Sequence, residues 1–80
     1  MTENLIKYNK IFQEAFAVDE YQLATLKLKE SENWDSVAHI GLIAELENVF
    51  SINIEFEDMF NLVSYNTGLE ILNQNYHIEF

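Results

Sequence analysis

The sequence predicts an all-α fold, a small four-helix bundle, and three observations carry that expectation. Apolar residues recur at steps of three and four in four separate segments. Pro is absent and Gly41 and Gly68 are the only glycines, so the punctuation of β-hairpins is missing. One short alternation, Leu26, Lys27, Leu28, Lys29, has no second alternating segment to pair with. The 80 residues are expected to form one domain, 1–80, near the size at which a single core must pack efficiently to be stable. Hydrophobic residues at 49% and aromatics at 14% are too many for a disordered chain, despite a net charge of −10.

Thr2 is placed to cap a first helix from Glu3 to about Phe16, in which Leu5, Tyr8, Phe12, Ala15 and Phe16 share one face. Lys7, Asn9, Lys10, Gln13 and Glu14 make the other face polar, so this helix has one side to bury. Ala17 to Asp35 is the least periodic stretch and reads as a long loop, its charges at Asp19, Glu20, Lys27, Lys29, Glu30 and Glu32. Leu23, Leu26 and Leu28 are expected to pin it to the helical core. A connection of that length in so small a domain often marks a functional segment.

That loop leads to Ser36, which opens the longest apolar-periodic segment, a second helix running to about Phe50. At 100° per residue, His39, Leu42, Ile43, Leu46, Val49 and Phe50 fall on one arc, the expected core face. Val37, Ile40, Ala44 and Glu47 form a second strip beside Ser36. That strip either widens the core contact or serves as a docking face, while Ala38, Gly41, Glu45 and Asn48 complete the solvent side. Phe56 to Val63 reads as a short third helix with Phe56, Met59, Phe60 and Val63 at helical spacing. Glu55, Glu57 and Asp58 suit the positive end of its dipole. Ser64 is placed to cap a fourth helix carrying Tyr65, Leu69, Leu72 and Tyr76, and residues 76–80 read as a tail.

Charge and composition exclude several functions. The four cations, Lys7, Lys10, Lys27 and Lys29, balance the four acids found up to residue 29, so the whole excess of −10 lies in residues 30–80, which contain no Lys or Arg. Phosphate neutralisation dominates nucleic-acid affinity, so DNA and RNA are not expected partners; proteins with basic surfaces are. No Cys is present, so any thiol chemistry must be imported. Neither a basic-then-apolar leader nor an apolar run of about 18 residues occurs, and a soluble cytoplasmic monomer is expected. A serine hydrolase would need a base beside its nucleophile, and the candidates are only His39 and His77. His39 lies on the core arc, where a satisfied, partly buried histidine is the commoner case. With no nucleophile elbow, phosphate loop or metal-ligand spacing, the chain is not expected to be an enzyme.

The run Trp34-Asp35-Ser36-Val37, followed by Ile40, Leu42, Ile43, Leu46, Glu47, Phe50 and Ile54, resembles the acyl carrier proteins, whose motif is Asp-Ser-Leu at the start of such a helix. The helix order, the long loop and the short third helix resemble that family as well. The resemblance implies a 4′-phosphopantetheine, taken from coenzyme A, on Ser36, with Asp35 presenting the serine to a phosphopantetheinyl transferase. It further implies docking of acyl-activating, condensing or acyl-transfer enzymes through basic patches that meet Val37, Ile40, Ala44, Glu45 and Glu47. Val37 stands where the family usually has Leu, and Ala38, His39 and Gly41 stand where fatty-acid carriers commonly have acids. Fatty acid, polyketide and specialised biosynthetic pathways therefore all stay open. So do two alternatives, a peptidyl or aminoacyl carrier and an unmodified helical interaction domain in which Ser36 is only a cap.

Overall fold

The structure, a computed structural model, describes residues 2–31 and 33–80. Met1 and Glu32, the latter counted above among the charges of the loop, lie outside the described residues. The elements in order are α1 (Glu3–Phe16), a 3₁₀ helix (Glu20–Thr25), α2 (Ser36–Phe50), α3 (Phe56–Asn61) and α4 (Tyr65–Tyr76), and no strand forms among the described residues. The fold is all-helical and small, with extents of 29 × 29 × 18 Å.

Local chemistry sets the starts of three helices. The hydroxyl of Thr2 accepts from Leu5 N at 3.1 Å, the carboxylate of Asp35 from Ala38 N at 2.9 Å, and the hydroxyl of Ser64 from Thr67 N at 3.0 Å. Each satisfies one of the donors that a helix leaves unbonded in its first turn. The C-terminal ends depart from the usual chemistry. Ala17, Ser51 and His77 take the left-handed conformation, with φ of 53°, 55° and 59°, at positions where glycine carries no steric cost.

The long 17–35 connection is partly helical, which corrects its reading as a loop. Asp19 N donates to Gln22 Oε1 at 2.9 Å and Leu26 N to Leu23 O at 3.1 Å, winding residues 20–25 at three residues per turn. Leu23 and Leu26 thereby point the same way and are buried, and Leu28 is half-buried against the core. The Leu26 to Lys29 stretch does find a partner. Leu28 N donates to Val63 O at 2.8 Å and Tyr65 N to Leu26 O at 3.1 Å, around a single antiparallel bridge between Lys27 and Ser64.

α1 packs against α2 and against the 3₁₀ helix, which also meets α4. The core holds Tyr8, Phe12, Trp34, Leu42, Leu46, Leu62 and Leu72, all fully buried. Tyr8, Phe12, Phe16, Trp34 and Tyr65 form a connected set of rings with centroids 4.6 to 5.9 Å apart, mostly tilted or edge-on. Such pairs contribute about 0.5–1.5 kcal/mol each beyond the area they bury. The Tyr8 hydroxyl donates to Tyr65 O at 2.8 Å and the Tyr65 hydroxyl donates to Asn9 Oδ1, so the two phenols lace α1 to α4. Gly68 makes that approach possible: a Cβ there would lie 2.2 Å from the Tyr8 hydroxyl.

The segment after α4 is no free tail. With His77 left-handed, Ile78 N reaches back to Leu72 O at 3.1 Å, and Asn73 Nδ2 donates to Ile78 O at 3.1 Å. Ile78 is buried, Phe80 packs its ring against Tyr8 and Phe50, and Asn4 Nδ2 donates to Glu79 O at 3.0 Å. Among the described residues no helix is long and apolar enough to cross a membrane.

Candidate functional site around Ser36

The approach to Ser36 is held rigidly by backbone and ring contacts. Lys29 N donates to Trp34 O at 2.8 Å and Trp34 N to Ser31 O at 3.2 Å, closing the last turn before the helix. The Trp34 indole, fully buried, stacks on Phe16 at 4.9 Å and donates its N–H to His39 Nδ1 at 3.0 Å. His39 Nε2 lies 2.8 Å from Met59 O. Indole N–H only donates and a carbonyl only accepts, so the imidazole is neutral with its proton on Nε2. The histidine is the satisfied buried residue that its place on the core arc predicts. Its second bond fastens the start of α2 to α3.

Asp35 and Ser36 divide the labour at this terminus. Asp35 is the cap, through its carboxylate to Ala38 N and its carbonyl, which accepts from His39 N at 2.9 Å. Ser36 is the first helical residue, is exposed, and its hydroxyl makes no hydrogen bond to any described residue. Ser36 and Val37 are first-turn residues whose N–H groups the helix itself cannot satisfy, at the positive end of its dipole.

The strip beside the serine is a surface. Val37 is 79% exposed, Ile40 65% exposed, and Ala44 is exposed as well, so these residues do not widen the core contact. Ala38, placed on the solvent side by the sequence, is half-buried and packs on the core. Glu47 corrects an expectation: it is half-buried, and its Oε2 accepts from Ile54 N at 2.8 Å, bracing the α2–α3 connection rather than ending the strip as a free acid. Glu45 is exposed but lies about 140° around the helix from Ile40. With Glu14, Ile11, Ala15, Ala38 and Gly41 it lines an open groove of about 480 Å³ between α1 and α2.

α3 differs most from its sequence reading. It ends at Asn61, not Val63, and none of its residues is buried. Phe56 and Phe60, read at helical spacing with Met59, are 70% and 62% exposed, with their rings edge to face at 4.7 Å. Met59 is half-buried, and Leu62, just beyond the helix, is the fully buried anchor. The apolar residues thus lie on two faces, Met59 and Leu62 inward, Phe56, Phe60 and Val63 outward.

Polar clamps replace the missing burial. The Tyr76 hydroxyl donates to Asp58 Oδ2 at 2.7 Å and accepts from Glu55 N at 2.7 Å, and Asn75 Nδ2 donates to Asp58 Oδ1 at 3.1 Å. Burial, then the bond to Asp58, pushes the Tyr76 phenol above its ordinary range. Asp58 is therefore a tie between α3 and α4, and no group of three or more His, Asp or Glu among the described residues is arranged to hold a metal ion. No family model, curated protein or solved structure matches the chain.

Proposed function

We propose that the chain is a non-catalytic acyl carrier of the four-helix carrier type, with Ser36 as the attachment point of a 4′-phosphopantetheine. The observation that supports this reading is the division of labour at the α2 terminus. Asp35 already supplies the cap, so the Ser36 hydroxyl is exposed and uncommitted directly beside an apolar strip. The residues present suit the group. A phosphodiester on Ser36 would lie at the N-terminus of α2, where first-turn N–H groups and the helix dipole favour a phosphate.

When attached, the arm supplies the thiol that the chain lacks and carries acyl groups as thioesters. The chain's own residues hold the attachment point still. Trp34 and His39 fix the backbone on either side of it, and Val37, Ile40 and Ala44 offer apolar contacts to a basic-rimmed enzyme, with Glu45 on the neighbouring face. Charge on such a surface steers encounter more than it supplies affinity.

Intact mass spectrometry after incubation with coenzyme A and a broad-specificity phosphopantetheinyl transferase tests the reading. The expected result is one added arm, lost in Ser36→Ala. A folded protein that gains no mass, beside a control carrier that does, overturns it and leaves the unmodified interaction domain. Loading the modified protein with acyl- or aminoacyl-activating enzymes then separates acyl from peptidyl cargo.

A further inference from the structure

α3 has six residues, none of them buried, and its hold on the rest of the protein is largely polar. Glu47 Oε2 accepts from Ile54 N, Tyr76 bonds Glu55 N and Asp58, Asn75 donates to Asp58, and His39 Nε2 donates to Met59 O. Each of these ties includes a titratable side chain. Carboxylates ordinarily change charge at about 4 and tyrosines at about 10, whereas histidine does so at about 6.5, within the physiological range.

Only the neutral imidazole suits the place that His39 occupies. Nδ1 must accept, because the indole N–H of Trp34 can only donate, and Nε2 must donate, because Met59 O can only accept. A proton added at Nδ1 sets two donors 3.0 Å apart, so the Trp34 bond and the charged ring exclude each other. The charged groups on the surrounding elements are Asp35 on α2, Lys27, Lys29 and Glu30 on the loop, and Glu55, Glu57 and Asp58 at α3, while α1 meets the pair through the rings of Phe12 and Phe16. None of these charges bonds the imidazole, whose two nitrogens are taken by Trp34 and Met59. Both partners are buried and the positive end of the α2 dipole opposes a cation in this turn, so a charged ring is driven toward water.

We infer that His39 is an acid-sensitive latch: a proton at Nδ1 breaks the bond to Trp34, turns the ring toward water and frees Met59 O, so that the middle of α3 parts from α2 while Ile54 and Leu62 hold its ends. The proton balance gives the direction. The latched state carries no proton on Nδ1 and the open state takes one up, so acid favours opening and rising pH closes the latch. His39 follows Ser36 by three residues, so opening alters the surface around the exposed hydroxyl whether or not that hydroxyl is modified.

The test uses the unmodified protein, so its outcome is distinct from that of the mass assay. Isotope-labelled protein is followed by NMR between pH 8 and pH 5, with His77, exposed at the end of α4, as an internal reference that shares the field of the same −10 chain. The Trp34 indole N–H resonance is expected to shift along the titration curve of the His39 ring and to exchange faster with water. Corrected for intrinsic exchange, opening at the Met59, Phe60 and Asn61 amides should rise at least ten-fold toward pH 5, against less than two-fold in α1 and α4. His39→Gln, which accepts and donates but does not titrate, should hold α3 opening constant within two-fold, whereas Glu47→Gln and Asp58→Asn should keep the response. The inference is overturned if His39 charges while the indole signal and α3 exchange stay unchanged, if both follow His77 instead, or if His39→Gln responds like the parent. A ring still neutral at pH 5 with α3 closed overturns it as well. Should the Gln variant not fold, the His39, His77 and Trp34 curves of the parent decide.

Discussion

The indole N–H of Trp34 donates to Nδ1 of His39 at 3.0 Å, across the two residues that flank Asp35, Ser36, Val37 and Ala38. With both rings buried, neither group has water as an alternative partner. His39→Phe keeps the ring but leaves the Trp34 donor and the Met59 carbonyl unsatisfied, at a cost of about 1–3 kcal/mol for each orphaned group that stays buried. Urea unfolding should show this loss, and amide exchange in α3 should quicken because its link to α2 is gone. His39→Gln, able to accept and to donate, should recover part of both.

Asp35 and Ser36 should separate stability from modification. Asp35→Ala removes the cap and should cost about 1 kcal/mol in thermal or chemical unfolding. Ser36→Ala removes an exposed hydroxyl without a partner and should change stability by less than about 0.5 kcal/mol. An equal loss in the two variants would return Ser36 to a capping role.

Gly68→Ala should destabilise the protein, since the new methyl lies 2.2 Å from the Tyr8 hydroxyl and 3.2 Å from Leu62 Cδ2. The phenol cannot swing aside without giving up its bond to Tyr65 O. Overpacking of this kind costs about 1–3 kcal/mol. In a double-mutant cycle Tyr8→Phe should absorb part of the penalty, because it removes the atom that clashes.

Ala17 and Ser51 hold left-handed backbone at the ends of α1 and α2. Glycine relieves the steric cost there and gives back some of the gain as extra freedom in the unfolded chain. Ala17→Gly and Ser51→Gly are each expected to raise stability by about 0.5–1 kcal/mol, measurable as a higher denaturant midpoint at unchanged slope.

Alkaline pH should unfold the protein through its phenols. Burial, and secondarily the neighbouring Tyr65, holds Tyr8 neutral far above the ordinary tyrosine range, and burial raises Tyr65 and Tyr76 as well. The unfolded chain ionises near its usual value of about 10, so above that pH it releases protons that the folded state keeps. For Tyr8 stability then falls by up to about 1.4 kcal/mol per pH unit, Tyr65 and Tyr76 add in the same direction, and below it these groups contribute no slope. Unfolding midpoints between pH 9 and 11, with phenolate absorbance read in parallel, check both parts.

Helix starts were legible because capping is local chemistry: Thr2 and Ser64 announce two of them within four residues, whereas at the start of α2 the cap falls on Asp35 rather than on Ser36. The bounds of α1 and α2 were legible because each has one broad buried face at the α-helical period. The 3₁₀ helix was not, since Leu23 and Leu26 repeat at three residues and register poorly against 3.6. The end of α3 was hidden too. Leu62 leaves the helix, with φ of −82° and ψ of 77°, so that Val63 and Tyr65 can bond the Leu26–Leu28 backbone, a demand set by a segment some 35 residues away. At the site, Ser36, Val37 and Ile40 were placed on the surface as the spacing allowed. The commitment of Glu47 to Ile54 N and the outward turn of Phe56 and Phe60 depend on how the third helix is held, which spacing alone does not encode.

The cap carried by Asp35 has a practical consequence. Position 36 is the first residue of a rigid helix, exposed, chemically idle in holding the fold, and part of a chain without cysteine. Ser36→Cys therefore introduces a unique thiol at a defined point, and a fluorophore or spin label placed there would report contacts at α2 and α3 without a second labelled species to subtract.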